Sequence, residues 1–145
     1  MLIRLSRSWK MRVFFDSNVF QLVNRVECDE WKGYVNDIVV SEVVYGYLRL
    51  AFNVSRYKLR EYIIKHIDKV RELLEQDVYP LFMSFKRLPT SIGIDTLVEY
   101  MTKYPLLPND ALIAATCRIY GIERIATFDE DFRRVPWIKI VRETP

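Results

Sequence analysis

The sequence passes from a buried apolar run to a carboxylate at Val13-Phe14-Phe15-Asp16. A short run of apolar residues with high β-propensity predicts a buried strand. The acid that follows is expected at the carboxyl edge of a sheet, where open α/β proteins bind their ligands. This stretch therefore predicts the fold class and also the edge of the sheet that carries the function.

Three further acids stand beside apolar runs. Glu42 follows Ile38-Val39-Val40-Ser41, Asp110 opens an apolar, alanine-rich segment, and Asp129 follows Ile125-Ala126-Thr127-Phe128. Two unit charges 4 Å apart repel each other by roughly 4 kcal/mol at an effective dielectric constant of about 20. Acids that meet at one sheet edge therefore need compensation, which a bound divalent metal ion supplies.

Strands and helices are predicted to alternate along the chain. Strands are predicted at residues 12–15, 38–40, 78–83, 124–127 and 137–141, with Pro80 moving the third towards a sheet edge. Helices are predicted at residues 17–24, 29–36, 42–52, 55–76 with a break near Asp68, 91–104, and 110–120 between an Asn109 cap and Gly121. This alternation predicts a three-layer α/β fold, in which helices cover both faces of a mainly parallel sheet of four to five strands.

The length of 145 residues predicts one domain, assigned to residues 11–145. Residues 1–10 are a basic extension before Met11, interpreted either as a flexible arm or as a segment upstream of the true start. No apolar run approaches the roughly 20 residues of a membrane span. The first residues also lack the apolar core of a secretory signal, so no membrane association and a cytoplasmic location are expected.

Several reaction classes lack their residues in this sequence. His66 is the single histidine, so no Cys/His zinc cluster is expected, and histidine-based nucleophilic schemes would have to use His66 itself. Cys28 and Cys117 lie far apart and are interpreted as free thiols of a reducing compartment, with a disulfide as the alternative. The four glycines form no phosphate-binding loop.

The charge distribution favours an anionic substrate. The formal net charge is +3, but setting the four acids aside leaves 15 of the 19 acidic residues against 22 Lys and Arg, a net charge of +7. An acidic centre within a basic protein is typical of a site that brings a polyanion to a metal ion.

Four stretches, taken together and in order, resemble the motifs of the PIN-domain nucleases, and within that family the single-domain toxins of toxin–antitoxin pairs. The stretches are residues 13–19, 39–43, 107–115 and 126–132, and the resemblance extends over residues 11–142. It implies a PIN-like fold and a metal-dependent endoribonuclease that uses Mg²⁺ or Mn²⁺. It also implies an RNA substrate, a homodimer and a cognate antitoxin whose tail covers the acidic cleft.

The resemblance also assigns roles to residues. Asp16, Glu42, Asp110 and Asp129 occupy the catalytic, metal-binding positions of the family. Asn18 and Thr127 match supporting polar positions, and Asp131 matches a further acidic position whose role varies. The family's Asp-Thr-Asn reads Asp16-Ser17-Asn18 here, which keeps the hydroxyl.

Basic and aromatic side chains are candidates for RNA contacts. The basic candidates are Arg49, Arg56, Arg60, Lys86, Arg87, Arg133 and Arg134. Six tyrosines are expected either to stack on bases or to pack within the protein, namely Tyr45, Tyr47, Tyr57, Tyr62, Tyr100 and Tyr104.

Other functions fit the sequence less well. A haloacid-dehalogenase-type phosphatase needs a second aspartate two residues after the first, where Asn18 stands. A non-catalytic RNA-binding or assembly protein with the same fold remains the alternative. The complete set of four acids favours the nuclease over that alternative.

Overall fold

The computed structural model describes residues 10–18, 24–27 and 30–142 of the chain. Five strands form one sheet: β1 (Met11–Phe15), β2 (Trp31–Asn36), β3 (Lys86–Leu88), β4 (Arg124–Ala126) and β5 (Lys139–Val141). Their order is β3-β2-β1-β4-β5, and every neighbouring pair is parallel. The chain crosses from β1 towards β3 in one direction and returns through β4 and β5 in the other. The strand order therefore reverses at β1, which is where ligands bind in open parallel sheets.

The helices connect these strands. They are α1 (Asn24–Glu27), α2 (Asp37–Phe52), α3 (Leu59–Lys65), α4 (Ile67–Leu73), α5 (Tyr79–Phe82), α6 (Ile94–Lys103) and α7 (Pro108–Ile119), with a π turn at Leu74–Val78 and a 3₁₀ turn at Glu130–Arg134. Right-handed crossovers that run in two directions put helices on opposite faces of a sheet. The predicted three-layer α/β fold is confirmed. No helix in the described residues is both long and apolar enough to cross a membrane.

The core lies where α7 packs against the central strands. Val13, Phe14 and Phe15 of β1 are completely buried, as are Ile113 and Ala114 of α7. Alanines let a helix approach a sheet closely, and the prediction that this helix is buried is confirmed. After α7 the chain turns at Gly121, whose φ of 67° is the left-handed conformation expected of a glycine just beyond a helix.

Two predicted elements around residue 36 are wrong. The sequence predicts a helix at residues 29–36, but β2 occupies Trp31–Asn36 and buries Trp31, Tyr34 and Val35. A strand covered on both faces loses the alternation that identifies exposed strands. Residues 38–40 were expected to be a strand, but they lie in the first turn of α2.

Asn36 sets this boundary. Its side-chain oxygen accepts a hydrogen bond from the backbone N–H of Val39 at 3.2 Å, and its amide donates to Thr116 Oγ1 at 3.2 Å. Asn36 is therefore both the last residue of β2 and the N-cap of α2. The predicted start of this helix at residue 42 was five residues late.

The segment between α2 and α6 also differs from the prediction. Residues 78–83 lie at the end of the π turn and in α5 rather than in a strand, and Pro80 is the second residue of α5. The edge strand is instead β3, which pairs with β2. The long helix predicted at residues 55–76 breaks at His66, two residues before the expected break at Asp68.

The remaining element predictions agree in type. The helix at residues 91–104 is α6, and the last two strands are β4 and β5, each shorter than predicted. The cap of α7 is Leu107 followed by Pro108 rather than Asn109. Of the helix predicted at residues 17–24, positions 19–23 lie outside the described residues, as do Cys28 and residues 1–9 of the predicted extension. Cys117 is a buried free thiol whose pKa is raised by burial.

Candidate metal centre at the carboxyl edge of the sheet

Asp16 lies at the middle of the carboxyl edge, directly after β1. Its backbone N–H donates to the carbonyl oxygen of Ala126 at 2.9 Å, which ties it to the end of β4. The side chain is only 5% exposed. Thr127 Oγ1 donates to one carboxylate oxygen at 2.8 Å, and the Ser17 N–H donates to the other at 2.8 Å. Burial raises the pKa of Asp16 above its ordinary value, and the charge of Asp129 adds to the rise, although both hydrogen bonds oppose it.

The end of β4 supplies the second acid. Thr127 is completely buried, and its hydroxyl accepts a hydrogen bond from the Asp129 N–H at 2.9 Å while it donates to Asp16. Asn18 Oδ1 accepts from the Phe128 N–H at 3.2 Å. The two polar residues therefore connect the loop after β1 to the loop after β4, and they fix the separation of the acids that those loops carry.

Asp110 reaches the same edge from the first turn of α7. Its pKa is raised from 3.8 to about 7, first by burial, then by a hydrogen bond with Asp129 and by the charges of Asp129, Asp16 and Glu42. Each of these charges acts only at short range, because solvent screens distant ones. Asp110 therefore lies close to Asp129, Asp16 and Glu42 at this edge of the sheet.

Glu42 approaches from the second turn of α2 and is half-buried. Its pKa is raised by burial and by the charge of Asp16, whereas hydrogen bonds from the side chains of Asn109 and Ser17 oppose the rise. Asn109, which the sequence predicts only as a helix cap, therefore also contacts Glu42. The position of Asn109 directly before Asp110 in the motif is the sequence signal that could have assigned it to the site.

Asp131, the further acidic position of the resemblance, also belongs to the cluster of acids. Carboxylate oxygens of Asp110, Asp129 and Asp131 all lie within 4.8 Å of one another. The side chain of Asp129 accepts from the Asp131 N–H at 2.9 Å, so it caps the 3₁₀ turn that carries Asp131. Arg134 pairs with Asp131 at 3.0 Å and brings a positive charge to the rim of the cluster.

The donor set fits a hard divalent cation. All candidate ligands are carboxylate oxygens, which select Mg²⁺, Mn²⁺ or Ca²⁺ over softer metals. Burial, the hydrogen bond with Asp129 and the neighbouring carboxylates together raise the pKa of Asp110, and a cation at the same place would oppose that rise. In the described residues, Asp110, Asp129 and Asp131 form the one group of three or more acidic, histidine or cysteine side chains whose ligand atoms lie this close together, and Asp16 and Glu42 stand outside it.

The basic residues expected to contact RNA fall into two groups. Arg87 pairs with Asp37 at 2.9 Å, Arg133 pairs with Glu130, and Arg134 pairs with Asp131, so these three are neutralised by nearby acids. The other four are exposed and form no ion pair within the described part of the chain: Arg49, Arg56, Arg60 and Lys86.

Arg142 is a cation beside the site that sequence reasoning missed. It donates to the carbonyl oxygens of Thr127 at 3.3 Å and Phe128 at 3.5 Å, and it pairs with Glu130. It therefore supports the loop that carries Asp129. A single arginine near the end of a chain has no motif, so no sequence signal identified it.

Known proteins resemble this chain in sequence and in fold. Ribonuclease VapC2 of Methanocaldococcus jannaschii is 37% identical over 142 residues, which covers 90% of this chain and 93% of that protein. Ribonuclease VapC6 of the same organism is 30% identical over 142 residues, with 88% of each chain covered.

Two solved structures share the fold at low sequence identity. PAE2754 from Pyrobaculum aerophilum superposes with a TM-score of 0.56 at 14% identity, covering 91% of this chain and 90% of that chain. VapBC2 from Rickettsia felis, bound to a DNA fragment from its promoter, gives a TM-score of 0.57 at 16% identity, covering 90% and 98%. The PIN domain family matches residues 13–138. The chain therefore belongs to the PIN domain family.

Proposed function

We propose that this chain is a metal-dependent endoribonuclease that hydrolyses RNA phosphodiester bonds as the toxin of a toxin–antitoxin pair. The convergence of Asp16, Glu42, Asp110 and Asp129 at one sheet edge carries the proposal. These acids come from four separate segments, and Asp110 feels the charges of all three others. Their mutual repulsion destabilises the folded protein, and a bound cation offsets that repulsion.

Mg²⁺ or Mn²⁺ is the proposed cofactor. Asp16 would hold the principal ion with help from Asp110 and Asp129, and the proximity of Asp131 supports it as a further ligand. A bound ion of this kind activates water and stabilises the attacking and leaving oxygens of a phosphodiester displacement.

The protein's own groups prepare the site for that chemistry. Thr127 and the Ser17 N–H hold the Asp16 carboxylate in one orientation, so little rearrangement is needed when the substrate arrives. Asn18 holds the neighbouring loop. In this proposal Glu42 orients the attacking water, since it lies within range of the Asp16 charge and is held by the side chains of Asn109 and Ser17.

The biological role is supported by the relatives. Two proteins that align along most of the chain are named VapC ribonucleases, and the Rickettsia felis structure of the same fold is named a VapBC complex. We therefore propose RNA as substrate, a small antitoxin protein as inhibitor, a homodimer as the functional assembly, and the cytoplasm as its location.

The test is cleavage of RNA by the purified protein with Mg²⁺ or Mn²⁺ and with EDTA. Cleavage is expected only with metal, and Asp16→Asn should abolish it. Asp95→Asn is the matched control, because Asp95 is an exposed acid in the first turn of α6. Full activity of Asp16→Asn, or equal cleavage in EDTA, would overturn the proposal.

A non-catalytic RNA-binding protein with a PIN fold is the alternative, and metal titration separates the two. A metal-binding site predicts that Mn²⁺ raises the melting temperature, and that Asp110→Asn reduces this rise. A melting temperature that is unchanged by Mn²⁺ would favour the binding protein.

A further inference from the structure

A stretch of the chain that carries several arginines and no acids follows the acidic centre. After Glu42, residues 43–60 contain no acidic residue. Arg49, Arg56 and Arg60 of this stretch are exposed, and none forms an ion pair within the described residues. Unpaired surface arginines remain available to phosphate groups, unlike those already neutralised by a carboxylate.

A tyrosine stands among these arginines. Tyr45 is 43% exposed, and the Arg49 guanidinium lies 5.9 Å from the centre of its ring. Tyr45 also forms one wall of a cavity of about 390 Å³, whose lining is otherwise Arg56, Leu59, Arg60, Ile63 and Ile64. A cavity with an aromatic wall, aliphatic walls and two cations at its rim suits a flat, apolar-faced group attached to an anion, which is the chemistry of a nucleotide.

Gly46 supplies an independent observation. It lies inside α2, where glycine is less stable than alanine by roughly 0.5–1 kcal/mol. A Cβ placed on Gly46 would meet nothing within 4 Å in the described part of the chain, so intramolecular packing does not require this glycine. A bare helix surface is useful where another backbone approaches closely.

These features lie on the Glu42 side of α2. Residues three, four and seven positions after Glu42 share its face of the helix, and they are Tyr45, Gly46 and Arg49. At 1.5 Å per residue they extend roughly 10 Å from the acidic centre along the helix axis. Arg56 and Arg60 continue the row through the shared cavity wall.

We propose that Tyr45, Gly46, Arg49, Arg56 and Arg60, here termed the tyrosine–arginine surface, bind single-stranded RNA adjoining the cleaved phosphodiester. One base stacks on Tyr45, the sugar–phosphate backbone passes over Gly46, and the arginines contact successive phosphates. The strand is unpaired because a base reaches an aromatic ring only when its face is free. The proposal rests on the ribonuclease function and names the substrate form that the site accepts.

The experiment measures binding of a fluorescein-labelled oligouridine 12-mer by anisotropy in EDTA, and in parallel KM and kcat for its cleavage with Mn²⁺. Tyr45→Leu is expected to weaken binding about 5- to 100-fold, the usual effect of removing one stacked base. Arg49→Gln should lower the slope of log K against log salt by about 0.7, the value for one phosphate contact of a single strand. Both variants should raise KM and leave kcat within about two-fold, because neither residue touches the reacting atoms.

Gly46→Ala gives the sharpest test, since its expected effects on stability and on RNA affinity are opposite in sign. The variant should melt at a higher temperature than the wild type, because alanine favours the helix, and it should still bind RNA more weakly. Arg118→Gln is the matched control: it removes an exposed arginine that lies 5.0 Å from the Trp137 ring, in the last turn of α7. That turn lies beside the amino-terminal end of β1, where Arg12 donates to the carbonyl oxygen of Gly121.

The outcomes separate this proposal from the ribonuclease function. Wild-type binding with weakening by Tyr45→Leu and Gly46→Ala, but not by Arg118→Gln, would support it. A wild-type protein that cleaves RNA while all variants bind and cleave equally would overturn this proposal alone. A wild type that does not bind the oligonucleotide would overturn it as well. If the variants instead change the sedimentation coefficient and leave RNA binding intact, the surface is a protein interface and the proposal is wrong.

Discussion

Replacing Asp110 by asparagine is predicted to stabilise the metal-free protein while it abolishes RNA cleavage. The carboxyl pKa of 3.8 in an unfolded chain rises to about 7 in the fold, because the group is partly buried and faces Asp129, Asp16 and Glu42. At pH 8 the folded protein must hold a carboxylate that its surroundings disfavour. Asparagine keeps the size and polarity of the side chain and removes that charge.

The magnitude follows from the two pKa values. The interval between 3.8 and about 7 corresponds to about 4 kcal/mol at 1.36 kcal/mol per pKa unit. Because the side chain is only partly buried, solvent screening reduces this to about 1–2 kcal/mol. The lost charge also weakens the first turn of α7 by about 0.3–1 kcal/mol. A net gain of about 1 kcal/mol should raise Tm by about 3–4 °C in a domain of this size.

The same effect of Asp110 determines how the stability of the metal-free protein changes with pH. Between pH 4 and 7 the folded state retains a proton that the unfolded state has lost, so the contribution of Asp110 is fully favourable below pH 3.8 and disappears as pH rises through 7. In EDTA the wild type should therefore lose stability between pH 5 and 8, and Asp110→Asn should lose less. Mn²⁺ should restore the wild type at pH 8 because it favours the ionised form.

Differential scanning fluorimetry at pH 5–8, with EDTA or Mn²⁺, measures these changes. Asp95→Asn is the matched control, since Asp95 is also a first-turn acid but is exposed on α6, and its loss should lower Tm slightly. If Asp110→Asn melts at or below the wild-type temperature in EDTA at pH 8, the acids do not repel one another as argued.

Three further substitutions test how the site is supported. Thr127→Val should lower kcat about 10- to 100-fold and reduce stability by about 1–3 kcal/mol in urea unfolding, because the buried Asp16 carboxylate loses its 2.8 Å donor; unchanged kcat would contradict this. Gly33→Ala should cost about 1–3 kcal/mol in the same assay, since the new Cβ would lie 2.8 Å from the Phe85 ring, and wild-type stability would show that the ring moves freely. Asn36→Ala should cost about 1–3 kcal/mol, because α2 loses its cap and Thr116 its buried donor, and wild-type stability in urea would contradict this.

The elements that could be predicted well from the sequence are those marked by one residue of distinctive chemistry at their end. The strand before Asp16 is a buried run interrupted by an acid, and α7 ends at a glycine that adopts a left-handed conformation. Both signals come from local chemistry, so they do not depend on the rest of the fold. The parallel sheet followed from the alternation of elements, which tolerates errors in individual boundaries.

The wrong assignments share a physical cause. Residues 31–36 and 78–83 both contain apolar side chains whose spacing fits a helix and a strand equally well, and tertiary packing decides between them. β2 is a strand because it lies between β1 and β3 and is covered on both faces. The second segment is helical because the edge position beside β2 is taken by β3. Neither neighbour is visible in a local window of sequence.

Glu42 shows why the acids can still be found when an element is misassigned. It was expected just beyond a strand at residues 38–40, yet it lies in a helix. Asn36 ends β2 and caps α2, so the helix begins at the carboxyl edge without an intervening loop. Six residues later Glu42 has advanced only about 9 Å along the axis, and the charge of Asp16 still raises its pKa. Distance in sequence from the end of a parallel strand, rather than the type of the following element, therefore determines whether an acid reaches this edge.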